Sequence, residues 1–439
     1  SMNYYSTNNK SLKANFREAA IQGQAPDKGL YFPEQIPQLP AGFLQKIDSL
    51  SKEELSFTVM KPYVDDTISD DDLFRIVSET VNFSFPLVPI TENISTLELF
   101  HGPTLAFKDV GARFMSRCLG HFVKNRDKEI TVLVATSGDT GGAVANGFYN
   151  VEGVNVVILY PSGKVSLTQE VQLTTLGNNI TAIEVDGTFD DCQLMVKNAF
   201  MDEELKKSLF LTSANSINVA RWLPQQLYYF FAYQQWKAKE SPPVICVPSG
   251  NFGNICAGLL AYCSGLPVNH FVAACNANDT VPQFLQSGVY SAKPSVATLS
   301  NAMDVGNPSN FVRIMELFQN EISSLKNVFT SYSITDDETK ATIKTVFEQH
   351  NYVLDPHGAV GYLALQRYLE ANKNANGFFL ETAHPVKFYD AIEPVIGQKL
   401  AIPESIAVLL NKKKHSIRMK PNDAELKSLL LERSFQPQP

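Results

Sequence analysis

The chain has 439 residues, of which 44% are hydrophobic and 19% charged, with a formal net charge of -8. This length predicts two or three cores, and the acidic balance excludes a nucleic-acid surface, which needs clustered Lys and Arg. No segment approaches the ~20 apolar residues of a membrane span, and the six cysteines show no Cys-x-x-Cys spacing, so reduced thiols, a cytoplasmic setting and no metal site are expected.

Residues 1–95 carry several helical patterns and few strands, and are predicted to form a mainly helical N-terminal region. From there the pattern alternates. EITVLVAT (129–136), NVVILYP (155–161) and ITAIEV (180–185) are predicted strands, each followed by a helical stretch. PVICVP (243–248), HFVAACNA (270–277) and GFFLETA (377–383) form a later set. Short apolar, β-branched runs separated by helices predict parallel α/β sheets. The division that follows is a small α/β domain at 129–216, a larger one from 96–128 with 217–400, and a C-terminal segment at 401–439. The closing SFQPQP is expected to be frayed or disordered.

Three segments carry chemistry. In HGPTLAFKD (101–109) Lys108 follows Pro103, Leu105, Ala106 and Phe107. A lysine held against apolar groups loses solvation, so its amine is neutral more often and can attack a carbonyl. TSGDTGG (136–142) follows a strand and opens a helix, with Ser137, Gly138 and Thr140 at the turn. Helix N-terminal amides there suit a carboxylate or a phosphate. PSGNFGN (248–254) repeats the arrangement, and its amides from Gly250 to Asn254 can cradle a phosphate. It lacks the Gly-Lys-Ser/Thr ending of a P-loop and the G-x-G-x-x-G of a dinucleotide fold. Two anion loops and one shielded lysine fit pyridoxal phosphate, which needs a lysine for its aldehyde and a cradle for its phosphate.

Seven ordered segments carry a resemblance: 16–37 (FREAAIQGQAPDKGLYFPEQIP), 97–114 (LELFHGPTLAFKDVGARF), 136–142, 161–172 (PSGKVSLTQEVQ), 213–225 (SANSINVARWLPQ), 248–254 and 381–388 (ETAHPVKF). On these the chain resembles the threonine synthases of the bacterial and fungal-type branch. The resemblance implies the type II fold of pyridoxal phosphate enzymes, tryptophan synthase β-like. That fold has two open, twisted, mainly parallel sheets flanked by helices. It implies conversion of O-phospho-L-homoserine and water to L-threonine and phosphate. Lys108 then holds the cofactor aldehyde, and Ser249, Gly250, Asn251, Phe252, Gly253 and Asn254 its phosphate. Thr382 meets the pyridine nitrogen. Asp139 stands where fold relatives place an asparagine against the ring hydroxyl, so it must be protonated or well hydrogen-bonded.

For substrate, the resemblance points to Arg221, Ser216, Thr140 and Asn251 around the phosphate ester, with Ser137 and Gly138 in the carboxylate loop. Lys164 is a further phosphate candidate, and His101 and His384 are expected to be structural. Another type II enzyme, such as a threonine or serine dehydratase or a phospho-lyase releasing 2-oxobutyrate, is the alternative. Monomer and homodimer both stay open.

Overall fold

A computed structural model describes residues 1–124, 126 and 128–433. Its centre is two sheets. The six-stranded sheet runs in the order Phe329–Ser333, His270–Cys275, Val244–Pro248, Gly377–Glu381, Ile94–Glu98, Leu87–Pro89. All its neighbours are parallel except the last pair, a hairpin. The five-stranded sheet runs Ile417–Met419, Ile180–Val185, Val154–Pro161, Ile130–Ala135, Phe210–Ser213 and is parallel throughout. Every residue of Ile130–Ala135 and Val244–Pro248 is buried. Helices cover both faces of such strands, which is why they read as unbroken apolar runs.

The predicted strands lie within two residues of those observed. Five others in these two sheets were not anticipated: Leu87–Pro89, Ile94–Glu98, Phe210–Ser213, Phe329–Ser333 and Ile417–Met419. These are edge strands or short runs mixed with Ser, Thr and Glu, whose alternation is too brief to stand out.

The N-terminal stretch holds helices at Phe16–Gln22, Lys52–Val64 and Asp70–Thr80, but it also holds strands. Asn9–Ala14, Tyr4–Ser6 and Tyr31–Pro33 make an antiparallel sheet, and a limit at residue 95 cuts through the hairpin that edges the six-stranded sheet. Tyr4 donates to the Tyr63 carbonyl at 2.6 Å, and Phe16 meets Phe114 and Phe122 edge-on at 6.3 and 6.1 Å. The stretch is thereby fastened to the helix that Lys108 opens.

The C-terminal segment does not stand apart. Ile417–Met419 extends the five-stranded sheet beside Ile183–Val185, and Arg418 pairs with Asp186 at 2.7 Å. The helix Asp423–Arg433 buries Leu426 and Leu430 against the core under Phe189–Met201. SFQPQP lies outside the described residues.

Parallel strands all point the same way, so the segments leaving their C-terminal ends collect along one edge. Those ends carry HGPTLAFKD, TSGDTGG, SANSINVAR, PSGNFGN and ETAHPVKF.

Leu426→Ala is expected to lower the unfolding free energy by about 2–5 kcal/mol, as large-to-small changes at buried sites do. Chemical denaturation followed by circular dichroism measures it.

Candidate active site

Lys108 is the first residue of the helix Lys108–Val123. The loop before it is tied down twice. Phe107 N–H donates to the Thr382 carbonyl at 2.8 Å. The buried Asp109 carboxylate accepts from Thr104 N–H at 2.9 Å and from the Thr104 hydroxyl at 2.5 Å. Lys108 Nζ donates to the Thr140 hydroxyl at 2.8 Å. Burial pushes its amine down to about 8; Asp139 opposes this, while Arg221 and Lys387 add to it. The residue keeps some exposed surface, and its lowered value makes the neutral amine more available than in a solvated lysine, as its apolar neighbours predicted.

TSGDTGG follows Ile130–Ala135 and opens the helix Asp139–Phe148. Thr136 Oγ1 accepts from Gly138 N–H and Gly141 N–H, both at 2.9 Å, which pins the turn. Gly138 has φ 140°, a conformation that side chains rarely adopt, and a Cβ there would collide with Gln169. Among the described residues, the Ser137, Asp139 and Thr140 amides have no acceptor, as expected of a helix N-terminus awaiting an anion.

Asp139 is buried and ion-paired. Lys387 Nζ lies 2.7 Å from its Oδ1, and Gln169 Nε2 donates to the same oxygen at 3.3 Å. Burial alone would raise the carboxyl, but Lys387 and Lys108 outweigh it and hold Asp139 below its ordinary value. Of the two states open to this acid, the structure has the ionised, hydrogen-bonded one.

PSGNFGN joins Val244–Pro248 to the helix Gly253–Cys263. Phe252 adopts φ 65°, held by burial of its ring edge-on to Phe311 at 5.8 Å. A Cβ on Gly250 would lie 2.6 Å from the Ala302 carbonyl oxygen, so only glycine fits. Among the described residues, the amides of Gly250, Asn251, Phe252, Gly253 and Asn254 have no acceptor. Five such amides in succession at a helix start suit a phosphate. Ser249 differs from its expected part: its amide donates to Ala274 and its hydroxyl to Val247, so both donors point into the fold. The Asn254 side chain is likewise spent on Pro248 and Ile255.

Arg221 is 3% exposed. One guanidinium nitrogen donates to the Ala214 carbonyl, and Nε is buried without a partner. No carboxylate lies within ion-pair distance among the described residues. Burial brings the group down to about 10, against Tyr228 and Asp109, so it remains a cation at neutral pH. A buried cation lacking a counter-ion is costly unless an anion arrives. Gly111 makes room for it, because a Cβ there would meet Arg221 Nε at 2.9 Å.

Asn310 draws the substrate candidates together. Its side chain donates to the Ser216 hydroxyl at 3.1 Å, and its amide to the Asn251 carbonyl at 3.0 Å. Thr382 is buried beside Lys108 through the Phe107 contact.

The outer candidates separate from this group. Lys164 is exposed on the turn after Val154–Pro161. His101 pairs with Glu98 at 2.9 Å. His384 Nδ1 accepts from Val386 N–H at 3.0 Å, and burial pushes its ring down to about 4, so it serves as a neutral cap. Sequence reasoning missed Lys387, although it lies in ETAHPVKF between Val386 and Phe388. The apolar-neighbour argument that singled out Lys108 applies to it equally. It also missed Asp109, Thr136 and Gln169, which look like ordinary capping or surface residues in one dimension.

A lysine of lowered basicity bonded to one of two loops with acceptor-free helix-start amides, at the edge of parallel sheets, suits the class of pyridoxal phosphate enzymes, and comparison agrees. Residues 95–378 match the family described as pyridoxal-phosphate dependent enzyme. Residues 3–81 match threonine synthase N terminus, and residues 358–429 match threonine synthase, C-terminal. A threonine synthase of Haemophilus influenzae is 46% identical over 92% of this chain and 94% of its own. The crystal structure of threonine synthase from Escherichia coli superposes with a TM-score of 0.91 at 42% identity, covering 98% of this chain and all of the other. The PLP-bound threonine synthase from Brucella melitensis gives 0.94 at 34% identity, covering 99% and 100%. The chain has the type II fold of pyridoxal phosphate enzymes and is a lyase of that class. Within the class, it belongs to the threonine synthase family.

In the cofactor-free chain, modification of Lys108 by fluorodinitrobenzene is expected to rise as pH passes through about 8, since only the neutral amine reacts. An exposed lysine reacts with a midpoint near its ordinary ~10.4. Peptide mass spectrometry across pH separates the two.

Proposed function

We propose that the chain converts O-phospho-L-homoserine and water to L-threonine and phosphate, with Lys108 as both cofactor anchor and proton carrier. The observation carrying this reading is an amine of lowered basicity at Lys108 together with a buried Arg221 cation that has no counter-ion among the described residues. A dehydratase handles no phosphate ester and has no use for the second.

The residues present fit pyridoxal phosphate. The cradle amides of Gly250 to Asn254 would hold its phosphate, with Thr382 toward its ring nitrogen and Asp139 toward its ring hydroxyl. A hydroxyl at the nitrogen leaves it largely unprotonated, which suits elimination and replacement over transamination. When bound, the cofactor supplies the electron sink for negative charge at the substrate's Cα.

The chain's own groups do the rest. The Ser137, Asp139 and Thr140 amides bind the substrate carboxylate. Arg221 takes the phosphate ester, since a planar guanidinium matches phosphate oxygens two at a time. Ser216 and Asn251 flank that ester. Thr140 orients the Lys108 amine, which moves protons at Cα, Cβ and Cγ in turn. Its four-carbon stem lets one base reach three carbons. Phosphate leaves from Cγ, and water adds at Cβ. Six free thiols accord with a cytoplasmic setting.

Lys108→Ala is expected to abolish the visible absorbance of the lysine-bound cofactor and to stop threonine formation from phosphohomoserine. A band that persists and can be fixed onto the protein by borohydride places the anchor elsewhere. Arg221→Ala is expected to raise KM for phosphohomoserine at least about tenfold, the cost of removing one charge-assisted pair. Cofactor affinity should change little. If affinity for pyridoxal phosphate collapses instead, Arg221 belongs to the other phosphate site.

A further inference from the structure

Lys387 is a buried ammonium, 1% exposed, that the proposed reaction leaves without a part. It sits on the short helical turn Pro385–Phe388, capped by His384 and packed through Phe388 against His357 at 4.9 Å between ring centres. Its Nζ has two partners: Asp139 Oδ1 at 2.7 Å and the Thr104 carbonyl at 2.8 Å. Thr104 is locked in turn by Asp109, the neighbour of Lys108 in sequence. Thr140, the neighbour of Asp139, accepts from Lys108. The contacts close a ring that begins and ends at the Lys108–Asp109 pair.

We propose that Lys387 is a positioning residue for the reaction: it joins Asp139 in a net-neutral buried pair and thereby sets how readily Lys108 releases its proton. The inference rests on the reading that Asp139 faces the cofactor's ring hydroxyl. A lone carboxylate there would stand as a bare negative charge in a dry site, both costly to bury and attractive to a proton on the nearby amine. Lys387 cancels that charge, so the pair does electrostatically what a neutral amide does in fold relatives. The charged or titratable groups facing these residues are Lys108 and Asp109 on one helix, Arg221, His357 and His384. Of these, Lys108 interacts with both members of the Asp139–Lys387 pair.

The signs are separable. Lys387→Met leaves Asp139 unbalanced, so the Lys108 midpoint for fluorodinitrobenzene modification in the cofactor-free full chain is expected to rise by about 1 pH unit, the effect of a nearby opposite charge. Asp139→Asn leaves Lys387 unbalanced and lowers the midpoint. The double variant Asp139→Asn/Lys387→Met restores neutrality and returns the midpoint toward that of the unmodified protein. Lys387→Arg keeps the charge and keeps the midpoint.

A strut with no electrostatic part predicts a lower melting temperature for Lys387→Met, no movement of the midpoint and no rescue in the double variant. That result overturns the proposal, as does a double variant no closer to the starting protein than either single one. Should Lys387→Met fail to fold, the double variant and Asp139→Asn carry the comparison alone. The same four variants loaded with pyridoxal phosphate give the pH midpoint of the visible band. Shifts in the cofactor-free chain without shifts in the loaded one support the Lys387 pair and remove the ring hydroxyl from Asp139.

Discussion

The cleft gathers Lys108 and two buried cations, Lys387 and Arg221, around one buried carboxylate, Asp139, which Lys387 and Lys108 hold below its ordinary value. Asp109 is also buried, but burial raises its carboxyl against the bonds from Thr104, and it is committed to shaping the loop. The site therefore carries uncompensated positive charge in a place poor in water. Two rows of partnerless helix-start amides face the same way chemically. Such a cleft is stable only if the surrounding fold over-determines it, and it is completed by anions.

The supporting structure answers that demand. Arg313, fully buried, donates to the carbonyls of Tyr31, Ser216 and Ile217 and to Asn310, and lies over the Trp222 ring at 4.4 Å. One guanidinium thus ties the N-terminal region, the Arg221 segment and the cradle-flanking loop. The five-stranded sheet is braced by Ile417–Met419 and by Lys414, which lies 2.8 Å from Glu184. Distant parts of the chain hold the segments whose charges would otherwise drive them apart.

Much of this was legible in one dimension. Continuous apolar runs marked the central parallel strands, because a strand covered on both faces has no polar side to show. Gly138 and Gly250 marked turns that admit no side chain, and Lys108 stood out against its apolar neighbours. The edge strands, such as Phe210–Ser213, escaped because half-exposed strands of four or five residues mix polar and apolar types. Ser249 joins the cradle only through the family resemblance, whereas its two donors are consumed within the fold.

The sequence by itself determined the fold class, the shielded lysine and the two glycine-rich helix-start loops, because these depend on local patterns: strand period, glycine at a turn, apolar shielding of one amine. The tertiary structure decided the state of Asp139, the isolation of Arg221 and the existence of the Lys387 pair. Those are matters of which charges meet after 248 residues separate Asp139 from Lys387 along the chain. Coulomb energy depends on distance and burial in space, and neither can be read from order in the chain.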